Sequence, residues 1–304
     1  TAMIQITSND PDAALTEVPV ILNVIEGGII EIHILAQDYT FPTDISENGE
    51  WVPITDFGGG SSIWHKGVGL TPVPGDDVTI QAVSENGIVS GNKTNPNVTV
   101  GGNGVGMSGY YNAQNCEWTF LPINPAAGNP TTNDYNSNWG MSADGLIHVG
   151  MQYMANGSYR AYKWTEADGF EMIGNALSSG NRPNGISNDG SVVYGWADMP
   201  SVSRSPVIWY NNEVIQIAPD TDGEAFGASS DGSYVVGTVE EDVFIWTPQG
   251  VTFCQNTLNQ GMISPTCVAD DGTVFGFTAD GWPPFPDVRR AFARTIDGEL
   301  MTFN

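Results

Sequence analysis

The chain has 304 residues, 40% of them hydrophobic, with 37 glycines and 19 prolines. Nine Lys and Arg stand against 35 Asp and Glu, a formal net charge of −26 at pH 7. Such a surface repels phosphate backbones and anionic lipid, which excludes nucleic acid as a partner and suits a soluble extracellular protein. No run approaches the roughly 20 apolar residues of a helical membrane span, so membrane insertion is not expected.

Residues 1–25 hold Met3-Ile4-Gln5-Ile6-Thr7-Ser8-Asn9-Asp10-Pro11-Asp12 and Val18-Pro19-Val20-Ile21-Leu22-Asn23-Val24, two strands around a polar turn. This segment resembles the closing hairpin of immunoglobulin-like modules in bacterial secreted proteins. The resemblance implies a module remnant or linker, cut from a longer multidomain protein. No secretory leader precedes it, in keeping with a mature product or an internal piece. A further alternating strand, Ile29 to Leu35, contains His33 and is expected to cover a sheet edge.

From residue 44 onward one pattern repeats. Asn-Gly or Asp-Gly pairs stand at 48–49, 86–87, 144–145, 189–190, 231–232 and 271–272, at intervals of 38, 58, 45, 42 and 40 residues. Each pair predicts a two-residue type I′ hairpin, because that turn needs positive φ at both central positions. Four short strands per unit of about 40 residues is the signature of a propeller blade. The expected fold is an all-β, six-bladed propeller of four-stranded antiparallel blades over 26–304. Its blades fall near 44–75, 76–122, 137–175, 183–219, 224–256 and 264–304. Pairing of residues 26–40 into a seventh blade would change that count.

In cassettes one to five a Ser stands two or three residues before the turn's Gly, placed to hydrogen-bond local backbone. A Gly closes the second strand (Gly91, Gly150, Gly195, Gly237, Gly276), where backbones approach closely. Trp64, Trp164, Trp209 and Trp246 occupy equivalent third-strand positions and are read as packing between blades. These cassettes resemble the HAF-type extracellular repeats, with their "A-F-x-W" and "A-x-G-I-S-x-D-G-x-V-V-G" pattern. The match is strong in cassettes three to five; cassette six departs by Ala269 for Ser and Arg294 for Trp. The resemblance implies a secreted or surface propeller and transfers no catalytic residue.

Function is expected on the face formed by the second-to-third loops and the links between blades, because the opposite face carries nearly all two-residue turns. Three insertions mark it: Asn92 to Ser108, the Pro122–Asn138 link with Asn133, Asp134 and Tyr135, and Ala279 to Asp287 with Trp282 and Phe285. Trp282 and Phe285 lead as ligand or partner contacts. Asp56, Asp198, Glu240 and Asp280 follow second strands and could converge on Ca²⁺, as could Asp220 and Asp222 in one link. No CxxC spacing exists among Cys116, Cys254 and Cys267; a Cys254–Cys267 disulfide and three buried thiols are both open. With only His33, His65 and His148, and no HExxH, GxSxG or phosphate loop, the common catalytic signatures are absent. The reading is a non-catalytic binding or adhesion module for a glycan or protein. The alternatives are a glycosidase or lyase using axial carboxylates, and a structural spacer.

Overall fold

The computed structural model describes residues 40–56, 60–75, 77–174, 180–202, 204–254, 262–279 and 289–303. Each repeat folds as one antiparallel sheet whose four strands lie in sequence order, giving the six blades of a β-propeller. Blade one comprises Thr40–Pro42, Trp51–Asp56, Gly60–His65 and Gly69–Val73, and Thr40–Pro42 supplies its first strand. The first strands contact the first and second strands of neighbouring blades, which sets them around the axis. They are Asn136–Met141 in blade three, Asn181–Ile186 in blade four and Gly223–Ala228 in blade five.

The turns between first and second strands differ from the expected type I′ form. In each, only the Gly takes positive φ, for example +69° at Gly232, while the preceding Asp or Asn does not. The Gly N–H closes on the Ser carbonyl three residues back, as in Gly190 N to Ser187 O at 2.9 Å, a type I turn ended by a left-handed Gly. The repeated Ser explains the choice. Ser187 Oγ donates to Asp189 Oδ1 at 2.6 Å and accepts from Val192 N at 3.0 Å. Ser46, Ser142 and Ser229 do the same. The side chains thus supply the hydrogen bonds that a two-residue turn would leave to the backbone. A two-residue turn with both φ positive does occur, at Asn211 and Asn212 (50° and 61°), between third and fourth strands.

These turns bond to one another in a collar around one end of the axis. Asn48 Nδ2 donates to Glu85 O, Glu85 N to Ala143 O, Ala143 N to Asn188 O, and Asp189 N to Ser230 O, at 3.0–3.2 Å. Ser230 Oγ donates to Glu47 Oε1 of blade one at 2.9 Å, bypassing blade six, whose Asp270 carboxylate accepts from Asp231 N at 3.4 Å. Asp44 ties blade one to blade two, its carboxylate accepting from Ile45 N and Val83 N at 2.8 and 2.9 Å. Burial raises the Asp44 pKa to about 6 in spite of those bonds.

A register shift in the first strand faces the closing Gly of the second strand in blades two to six. At Gly195 an added Cβ would lie against Arg182 O and 2.8 Å from Pro183 Cα, so no larger residue fits. Three of the four tryptophans pack between blades as read: Trp164 with Leu121 and Tyr110, Trp209 with Val149 and Ala161, Trp246 with Val192 and Ile208. His148 is 1% exposed, between Tyr110 and Trp164, with Nδ1 3.0 Å from Asn138 Nδ2. Burial lowers its pKa to about 4.

The cysteines fit neither expectation. All three are free; Cys254 is buried and accepts from Arg294 Nη1 at 3.0 Å, whereas Cys116 and Cys267 are exposed. Arg294 stands where other blades carry Trp, and a thiol gives its guanidinium an acceptor.

Candidate functional site

The blade-two insertion, expected as a Gly- and Asn-rich loop, is a continuation of the hairpin. Its strands Ile88–Val100 and Asn103–Asn112 stay paired to the tip, interrupted by one irregularity between Asn95 and Thr99. Gly101 and Gly102, both at positive φ, turn the chain at the tip. The link to blade three folds back on this hairpin. Gly106 N donates to Asn133 O at 2.6 Å and Tyr135 N to Gly106 O at 2.9 Å, a short parallel bridge. A Cβ at Gly106 would stand 3.0 Å from Asp134 Oδ1 and 3.4 Å from Asn133 O, so glycine lets the two insertions close.

Between them lies a cavity of about 400 Å³, whose lining includes Thr79, Asn92, Lys93, Asn133, Asp134, Asn136 and Tyr153. A second hollow of about 300 Å³ lies across the link and shares Asp134 and Tyr153. Asn133 and Asp134 are exposed at the first cavity, so the structure gathers two of the three link residues singled out above. Tyr135 is 2% exposed, and its hydroxyl accepts from Asn124 N at 2.8 Å and donates toward Gly128 O at 2.8 Å. It holds the link in shape and offers no free polar group to a ligand.

Two residues at this cavity carried no sequence signal. Tyr153 ends the second strand of blade three, 37% exposed; desolvation and the nearby Asp134 charge raise its pKa, so its phenol stays neutral. Asn136 begins the first strand of blade three and is 3% exposed. Its Oδ1 accepts from Ser108 N at 2.8 Å. Since a backbone N–H can only donate, this bond fixes the amide's orientation. The Asn136 Nδ2 is left without a partner.

Toward the axis, Arg182 lies between two indoles, its guanidinium carbon 4.0 Å from the Trp139 centroid and 5.2 Å from that of Trp196. It donates to Asn184 Oδ1 at 2.8 and 3.2 Å and lies 3.8 Å from Glu224. Arg204 bonds the other Glu224 oxygen and sits 4.9 Å above Trp196. Desolvation lowers the Arg182 pKa, and the Glu224 charge opposes it. Tyr159 Oη donates to Asp198 at 2.7 Å beside this group. Two guanidinium groups face the carboxylates of Glu224 and Asp198, which stiffens the axial wall, while the Trp196 Nε1–H is left without a partner among the described residues.

Of the acids proposed as calcium ligands, those among the described residues do not gather into a group of three. Asp198 is committed to Tyr159, and Asp220 accepts from Ser201 Oγ at 2.7 Å. Asp222 is exposed and contributes its carbonyl to Glu240 N at 2.7 Å. Glu240 occupies a positive-φ turn position, and Asp56 ends a second strand. Among the described residues no three carboxylate, histidine or cysteine groups gather to hold a metal ion. Asp280, Trp282 and Phe285 lie outside the described residues, as does His33.

No helix among the described residues is long and apolar enough to cross a membrane. No family model and no curated protein sequence matches the chain. Solved structures match at the level of fold. An acylaminoacyl peptidase from Pyrococcus horikoshii aligns at TM-score 0.54 and 15% identity, over 88% of this chain and 45% of that one. A putative TolB from Agrobacterium tumefaciens aligns at TM-score 0.50 and 11% identity, over 86% and 79%. TolB from Acinetobacter baumannii aligns at 0.48 and 13%, over 80% of this chain and 58% of its own length. At such identities the likeness is one of fold alone, and the count of six blades rests on this chain's own six four-stranded sheets.

Proposed function

We propose that this propeller is a non-catalytic binding module of a secreted or surface-exposed protein. It recognises a glycan or protein partner through the face that carries the blade-two hairpin and the link to blade three. The observation that supports this reading is the main-chain bridge between Gly106 and the Asn133–Tyr135 segment, which makes two insertions the walls of one cavity. Long insertions on a repeat scaffold are where recognition is built, and a wall held by backbone bonds keeps its shape without a ligand. The excess of acid favours neutral or basic partners. Trp282 and Phe285 belong to the same reading as a second contact region.

The test is binding of the purified protein to arrays of extracellular glycans and proteins. Two variants accompany the wild type: one with residues 96–103 replaced by a two-residue turn, and one with Trp282→Ala and Phe285→Ala. The reading requires a bound class that the first variant loses while its thermal unfolding stays cooperative. Equal binding by the wild type and both variants would place recognition elsewhere. Release of oligosaccharide that depends on Asp56, Asp198, Glu240 or Asp280 would replace it with the glycosidase or lyase alternative.

A further inference from the structure

Resting on that reading, we infer that the cavity between the blade-two hairpin and the Asn133–Asp134 segment is a subsite for one neutral pyranose unit. Its lining is the first argument. Thr79, Asn92, Thr94, Asn133, Asp134 and Asn136 present amides, hydroxyls and a carboxylate, and no aliphatic side chain lines the space. A peptide anchored by side chains needs an apolar pocket. A sugar needs what is present: planar amides that give and take hydrogen bonds and a carboxylate that accepts them from vicinal hydroxyls.

The second argument is the unpartnered amide. Asn136 forms part of the cavity wall, is 97% buried by its 3% exposure, and has its oxygen pinned by Ser108 N. An orphaned buried donor carries a desolvation cost that a ligand hydroxyl removes. Asp134 lines the same space and is exposed there. Tyr153, exposed and neutral, offers a ring face on which the C–H side of a pyranose can pack.

Charge selects among sugars. The one cation of the lining, Lys93, is held by Pro74 O at 3.2 Å and lies over the Trp118 ring, while Asp77 and Asp134 add two carboxylates. An anionic sugar would meet repulsion from the two carboxylates and a cationic one from Lys93, so an uncharged sugar fits this lining best. The cavity volume of about 400 Å³ is within the range of small-ligand sites.

Saturation-transfer NMR and calorimetry with methyl glucoside, methyl galactoside, methyl mannoside, N-acetylglucosamine and sialyllactose test this. At least one neutral sugar should bind. Tyr153→Ala and Asn136→Asp, the latter keeping the acceptor for Ser108 N but replacing the donor, should each weaken it roughly tenfold or more. Phe253→Ala, at an exposed position of blade five outside the cavity lining, should leave it unchanged. Absence of binding by every neutral sugar, a preference for sialyllactose, or affinity unchanged in both cavity variants would overturn the inference. If a protein from the arrays binds, and Tyr153→Ala abolishes that binding while no sugar binds, the pyranose assignment fails and the binding-module reading stands.

Discussion

Replacing His148 with Gln should uncover a pH dependence of stability that the wild type conceals. His148 is buried with its pKa lowered from 6.5 to about 4, whereas Asp44 has its pKa raised from 3.8 to about 6. For His148 the unfolded chain binds the proton more readily, so stability is full above pH 6.5 and falls as pH drops toward 4. The linkage relation gives a loss of about 2 kcal/mol at pH 5 and about 3 kcal/mol at pH 4, relative to pH 7. Asp44 has the opposite sign. Its folded state binds the proton more readily, so its stabilisation is full below pH 3.8 and is lost as pH rises through 6. Its gain on acidification is about 1 kcal/mol at pH 5 and about 2 kcal/mol at pH 4. In the wild type the two nearly cancel. A Gln at 148 can accept from Asn138 Nδ2 without titrating, so between pH 7 and pH 5 the variant should gain about 2 kcal/mol on the wild type. Urea unfolding followed by tryptophan fluorescence at pH 7, 6, 5 and 4.5 measures this. Parallel curves for the two proteins would show that His148 is not held neutral by burial.

Gly237→Ala would set a Cβ against Glu224 O and the Phe244 ring, so the bulge of blade five must open. The expected loss is on the order of 3 kcal/mol, read from urea midpoints. Ala269→Ser would restore in blade six the hydroxyl that bridges turn and strand in other blades, and should add about 1 kcal/mol; an unchanged midpoint would mean that the Ser network is incidental. Arg182→Lys keeps the charge near Glu224 but loses the paired bonds to Asn184 and the planar stack between Trp139 and Trp196. It should cost roughly 1–2 kcal/mol, with thermal unfolding as the readout.

The architecture was legible because the scaffold is written six times. Recurrence of Ser, Asp-Gly, a closing Gly and Trp at fixed spacing identifies a blade even when one copy, such as blade six with Ala269 and Arg294, departs. The turn geometry was misread because an Asp-Gly pair alone favours type I′; the Ser three positions before the Gly decides for the longer turn, by binding both Asp189 and Val192 in the blade-four example. The candidate site was half legible. Asn133 and Asp134 stood out as an insertion, but Asn136 and Tyr153 lie at the ends of regular strands and look like scaffold. Their role follows from Gly106 meeting Asp134 across 28 residues of sequence, a contact that no periodicity announces.

The collar gives a physical reason why variation accumulates at one end of the molecule. At that end neighbouring turns bond to one another, Glu85 to Ala143 and Ala143 to Asn188, so lengthening one turn breaks bonds on both of its sides. At the other end the described loops bond to an adjacent link or to one neighbouring blade, as Asp198 does to Gly180 and Tyr159, and not turn to turn in series. An insertion there costs loop entropy, which grows slowly with length, and disturbs no ring. Two neighbouring insertions can then find each other, as the blade-two hairpin and the 122–138 link have done at Gly106, and enclose a polar space that neither blade makes alone.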